Sequence, residues 1–127
     1  MTAVTHSITT TVLSLALDAA ALRQQAIAAN VANHGTPDYV PVQLDFAAQF
    51  EDARRAFETS GRVDAASLAA IRLELQPRFD ADGLPEVVHL DGQMADLAQN
   101  TAHHHALTKA LSRHFAILST AVNDGKR

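Results

Sequence analysis

The chain has 127 residues, a formal net charge of −4 and no cysteine. That length supplies one domain's worth of core, and the absence of thiols excludes disulfides and thiolate metal sites. Ten basic residues set among fourteen acidic ones, without clustering, exclude the concentrated cationic footprint on which nucleic-acid binding rests.

The first ten residues are uncharged and rich in Ser and Thr. From Ile8 a pattern sharpens. Ile8, Val12, Leu15, Ala19, Leu22, Ala26, Ala29 and Asn33 alternate by four and three, which predicts a heptad seam on a helix of about 28 residues, roughly 42 Å long. Within it, residues 12–23 (VLSLALDAAALR) imitate the apolar core and small-residue end of a cleaved secretion signal. The first basic residue is Arg23, and Asp18 interrupts the apolar run, so a cleaved signal is not expected. No apolar run approaches the ~20 residues of a membrane-spanning helix.

The helix is then stopped by NVANHGTPDYVPVQLDF, residues 30–46. Gly35 is expected to take the left-handed conformation that ends a helix, and Pro37 prevents its resumption. Pro41 keeps the returning segment from pairing as a central strand. Asp45 is placed to cap a short helix over 46–58 with Phe46, Phe50, Ala53 and Phe57 on one face. Residues 59–62 (TSGR) close it. Ile71, Leu73 and Leu75 alternate with Arg72 and Glu74, which predicts a strand ending at Pro77. The turn DADG, residues 80–83, would lead into a partner strand over 86–89.

The C-terminal third returns to helical periodicity. Leu90, Met94, Leu97, Thr101, His104, Thr108, Leu111, Phe115, Leu118 and Val122 again alternate by four and three, and Leu107, Ala110, Ile117 and Ala121 widen the stripe. A stripe this wide implies more than one neighbour. Gly125 is placed to end the helix. The organisation expected is a mainly α protein: an N-terminal helical segment (1–35), a short turn, Phe-rich helix and small irregular or β insert (36–86), and a C-terminal helical segment (87–127), the long helices forming an antiparallel coiled-coil hairpin. Each fully buried Leu or Ile contributes ~1.5–3 kcal/mol, whereas ordering backbone costs ~1–2 kcal/mol per residue. Two long helices sharing one thin seam are therefore marginal, and other chains are expected to cover the remaining stripes.

Catalytic and metal chemistry finds little support. His103, His104 and His105 are consecutive, so on a helix they fan over about 200° and do not converge on one ion; one of them, His104, falls on the seam. Asp80, Asp82 and Gly83 lack the remaining ligands of a calcium loop. No nucleophile–base arrangement emerges, so no enzyme, cofactor, metal or small-molecule substrate is expected.

The string Asn30-Val31-Ala32-Asn33, followed by Thr36-Pro37 and Tyr39 after an amphipathic helix, resembles the signature of the flagellar rod and hook family of axial proteins, close to A-N-x-x-T-P-G-Y. Asp45-Phe46 and residues 88–101 (VHLDGQMADLAQNT) are similar to further segments of that family. The short length is similar to the proximal-rod FlgB family of basal-body rod proteins. The likeness covers roughly residues 8–50 and 86–124, and the middle is not diagnostic. Three positions depart from the family pattern: Asp38 stands where Gly is usual, and His104 and His105 where Tyr and Gln are typical.

This resemblance implies a structural subunit exported without a cleaved signal through the type III apparatus, stacking helically in the rod across the periplasmic space. Its expected partners are other rod proteins and the basal-body and export-gate proteins at the rod base. Ile8, Val12, Leu15 and Leu22 are expected to pack against Leu97, Leu111, Phe115 and Leu118, or against their equivalents in neighbouring subunits. Asn30, Asn33, Thr36, Pro37 and Tyr39 carry the motif, and all but Asn30 are expected to set the exit direction of the chain. The alternatives are a cytosolic helical-hairpin adaptor or export chaperone, and the other short proximal-rod subunit.

Overall fold

Residues 2–33 contain neither glycine nor proline, and they form one uninterrupted helix, α1 (Thr2–Asn33). It begins six residues earlier than the apolar pattern indicates. The threonines of its first turns are accommodated because Thr9, Thr10 and Thr11 each donate a hydroxyl hydrogen bond to the carbonyl four residues back. The computed structural model describes residues 2–45 and 47–126, the side chains at 2–4 and 47–50 excepted.

After α1 come β1 (Val42–Leu44), α2 (Ala47–Ser60), α3 (Ala65–Ala69), β2 (Leu75–Pro77) and α4 (Leu90–Asp124). At 35 residues, α4 extends about 52 Å. The two long helices pack together in opposite directions. His6 near the start of α1 stacks near His114 toward the end of α4, Gln24 meets Asn100, and Asn30 meets Gln93. Ala19, Ala20 and Ala26 are buried, and their small side chains let the backbones approach closely. No described helix is long and apolar enough to cross a membrane.

The insert differs from the sequence expectation in its pairing. The strand predicted over 71–77 shortens to Leu75–Pro77, and its partner is β1, antiparallel, with Val42 opposite Pro77 and Leu44 opposite Leu75. Residues 86–89 form no strand; an isolated bridge joins Phe79 to Pro85, and the Glu86 N–H donates to the Arg78 carbonyl. The reason is lateral support. Residues 42–44 lie on α1 and bury Leu44. Pro41 and Pro77 bound the ladder at three residues and keep it a two-stranded edge pair. The short helix α3, absent from the sequence reading, is capped by Asp64, whose side chain accepts from the Ala66 N–H. It delivers Leu68 and Ile71 to the core beside Ile27 and Leu44.

Several turns follow local rules. Gly61 at φ +66° ends α2. The Asp80 carboxylate accepts from the N–H groups of Asp82 and Leu84, and Gly83 supplies a positive φ of 79°, so this aspartate serves a turn. Gly125 caps α4 in a right-handed conformation. Of the expected apolar face on α2, Phe46 and the Phe50 side chain lie outside the described residues, and Phe57 is exposed.

Candidate assembly interface

The motif that stops α1 is built around Asn30, which is 5 % exposed. Its amide donates to the Val42 carbonyl at 2.9 Å and to Gln93 Oε1 at 3.1 Å. Its carbonyl accepts from the Val42 N–H at 3.0 Å and from the Tyr39 hydroxyl at 2.9 Å. All four of its hydrogen-bonding positions are used. The side chain thus imitates a neighbouring strand along the free edge of β1, and the same amide ties α1 to α4. Asn30 is the residue whose role the sequence reading missed. The available signal was an uncapped asparagine one helical turn before the stop, which calls for partners from elsewhere in the fold.

Asn33 closes the helix from within. Its amide donates to the Ala29 carbonyl, and its Oδ1 accepts from the Thr36 hydroxyl. Thr36, Pro37, Asp38 and Tyr39 then make a tight turn, closed by the Tyr39 N–H to the Thr36 carbonyl at 3.3 Å. Proline second and a positive φ third are the requirements of a type II turn. The left-handed residue is Asp38, at φ 59°, and not Gly35 as the sequence indicated. Side-chain capping by Asn33 already ends the helix, so the glycine-type conformation is needed only where the chain doubles back. Replacing Asp38 by glycine is expected to stabilise the fold by about 1 kcal/mol, and by valine to destabilise it by more than that. Urea unfolding midpoints of the two variants check both signs.

Burial raises the Tyr39 phenol above its ordinary value of 10.0. A raised acid group contributes stability that is fully present below about pH 10 and is lost as pH rises through the higher folded value. Tyr39 is the sole tyrosine and there is no tryptophan, so near-ultraviolet phenolate absorbance reports it alone. The expected titration midpoint lies above that of the unfolded chain.

The face that α4 turns toward α1 consists of Gln93, Leu97, Asn100, His104, Leu107, Leu111, His114 and Leu118, each buried or half-buried. This row shares Leu97, His104, Leu111 and Leu118 with the predicted seam, but its other column is shifted by one residue. Asn100, 4 % exposed, decides the phase. Its amide donates to the Ala20 carbonyl and to Gln24 Oε1, both at 2.9 Å. Both donors of that amide are satisfied across the interface, which ties this column of α4 to α1, while Asn100 Oδ1 and His114 Nε2 on the same row are buried without a hydrogen-bond partner.

Phe115 and Val12, expected on the seam, are 50 % and 40 % exposed. Ile8, Leu15 and Leu22 remain half-buried. Leu90, Met94 and Val122 are exposed with Phe115, as are Thr101 and Thr108 between them. Met94, Thr101, Thr108, Phe115 and Val122 therefore form an exposed outer column at seven-residue spacing along α4, apolar toward its two ends, with Leu90 one turn before Met94. Beside β1, a polar cleft of about 630 Å³ includes Arg23, Arg78, Glu86, Asp96 and Asn100, and within it Arg78 pairs with Glu86 at 3.1 Å.

In comparisons with known proteins, no family model matches this chain and no curated protein matches it.

Proposed function

We propose that the chain is a structural subunit of the proximal rod of the bacterial flagellar basal body, exported without a cleaved signal and held in the rod through the outer face of α4. In this reading α1 and α4 form an antiparallel coiled-coil hairpin. The four-three alternation of the row from Gln93 to Leu118, met by α1 running the other way, supports it.

The observation that carries the proposal is the outer column. A helix already packed on one side still exposes Leu90, Met94, Phe115 and Val122 along a neighbouring side. A column of this length and spacing is matched by another helix, and each large side chain it buries contributes up to about 1.5–3 kcal/mol. The second support is the motif. The string Asn30, Asn33, Thr36, Pro37, Tyr39, on which the family resemblance rests, forms the junction between helix, turn and strand. Helical stacking needs different surfaces on the two sides of each subunit, and the exposed apolar residues of the insert, Phe79, Leu84 and Val87, offer one far from Phe115. The partners in this reading are other rod proteins and the basal-body and export-gate proteins at the rod base.

The chain has no native cysteine, which makes the test direct. With Phe115→Cys as its sole thiol, the protein should be recovered in purified basal bodies and cross-link there to rod proteins carrying engineered thiols. Recovery only in the cytosolic fraction, as a discrete complex, would instead identify an adaptor or export chaperone.

A further inference from the structure

We propose that the open face of the helix pair, on the side away from the insert, is covered by a second copy of this chain. The two hairpins close into a four-helix bundle about a twofold axis parallel to the helices. The inference rests on the exposed outer column of α4, and it names what covers that column: an exposed row on α1 of the partner subunit.

Four observations carry it. First, α1 has an outward row of small side chains. Ser7, Ser14, Ala21 and Ala28 recur every seven residues, and all are exposed. This row and the α4 column open to the same side, because Ala21 of the one and Thr101 of the other line a shared groove of about 320 Å³. Asn100 lines the same groove, and its Oδ1 has no hydrogen-bond partner, a deficit that a donor from a covering chain removes. The insert lies on the opposite side, where the cleft beside β1 takes Arg23 from α1 and Asp96 and Gln99 from α4.

Second, the two rows match in level. Asn100 meets Ala20 and Gln24, Gln93 meets Asn30, and His114 lies beside His6. With equal rise along both helices, Phe115 is then level with Ser7, Thr108 with Ser14, Thr101 with Ala21 and Met94 with Ala28. A half-turn about an axis parallel to the helices preserves these levels and lays α4 of one copy antiparallel on α1 of the other. Each large side chain of the column thus faces a small one of the partner subunit, and every contact occurs twice.

Third, there is surface to cover. The chain exposes 8973 Å², whereas a compact monomer of 13.6 kDa exposes about 6,600 Å². The excess of about 2,400 Å² is larger than the ~800 Å² that each partner of a standard interface buries. Fourth, the charges agree. Asp18 is the one charge between Ser14 and Ala21, and α4 carries no acidic residue between Asp96 and Asp124. Asp18 therefore comes level with the histidine run of the partner subunit and meets no like charge. Thr and Ser at the middle of the contact keep the association modest, so the separate chain persists at low concentration.

The test is sedimentation equilibrium of the purified full chain over a concentration series. Wild type should approach twice the chain mass at roughly 100 μM. Ala21→Glu and Phe115→Asp should each weaken association by roughly ten-fold or more, whereas Phe57→Asp, on exposed α2, should not. Circular dichroism at low concentration identifies any variant that fails to fold. The chain has no cysteine, so orientation is read by oxidising a mixture of Ser14→Cys and Thr108→Cys chains, which should yield the mixed disulfide in preference to either homodimer. A wild type that stays monomeric, association unchanged by Ala21→Glu, or Thr108→Cys homodimers as the main product would each overturn the proposal. A monomer would leave the rod reading to its own cross-linking test, and a dimer absent from basal bodies would reject the rod reading alone.

Discussion

Replacing Asn30 by alanine should lower the unfolding free energy by about 3 kcal/mol or more. The estimate follows from what the substitution strands. Both backbone groups of Val42 lose their partner, as do Gln93 and the Tyr39 hydroxyl. A typical hydrogen bond contributes about 0.5–1.5 kcal/mol net, whereas a buried group left unpaired costs about 1–3 kcal/mol. The exposed edge of Tyr39 can recover a water, but the Val42 peptide lies against α1 and recovers less. Asn30→Asp should be nearly as damaging, because it keeps the acceptor and removes both donors while placing a charge beside the Val42 carbonyl. Urea unfolding followed by circular dichroism reads the shift. A loss below about 1 kcal/mol would mean that the junction is not held by this side chain. A double-mutant cycle with Tyr39→Phe separates the hydroxyl's share, and the expected coupling is at least 0.5 kcal/mol.

The second large effect concerns assembly and requires two substitutions that look alike in the sequence. Phe115 and Leu111 both fall on the predicted seam, one helical turn apart. Phe115 is half-exposed on the outer column, whereas Leu111 belongs to the row facing α1. Phe115→Asp should leave the stability of the isolated chain within about 0.5 kcal/mol of wild type while abolishing incorporation into the rod. Leu111→Asp should cost the isolated chain about 2–4 kcal/mol, because it places a carboxylate between packed helices without a partner. Thermal melts of the purified variants, set beside motility and basal-body composition, distinguish the two. Normal motility with Phe115→Asp would remove the outer column from the proposed function. Equal destabilisation by both substitutions would mean that the column is part of the fold itself.

Much of the architecture was legible in the residues. Four-three spacing identified both long helices, and Gly35 with Pro37 marked where the first must stop. The acidic turn at 80–83 and the helix end at Gly61 were also readable, since each depends on a few adjacent residues whose conformational preferences dominate locally. The insert was harder. A three-residue ladder between β1 and β2 gains most of its support from lying on α1, and nothing in the alternation of residues 71–75 reveals which segment will be brought there. The left-handed position was displaced from Gly35 to Asp38 for a related reason. Either residue can adopt that conformation, and the choice fell to the hydrogen bonds of Asn33 and Thr36.

By itself the sequence determined that this chain makes two long amphipathic helices around a short insert, with more apolar stripe than a single helix contact can cover. Only the tertiary structure decided which column of α4 faces inward, that Asn30 stands in for a missing strand, and that His6 lies against His114. The division has a physical cause. Periodicity and turn chemistry are set by neighbours in the chain, whereas the rotation and register of one helix against another are set by whichever polar groups find partners across the gap. In this protein Asn100 and Gln93 find them on α1, and that match leaves Phe115 on the outside.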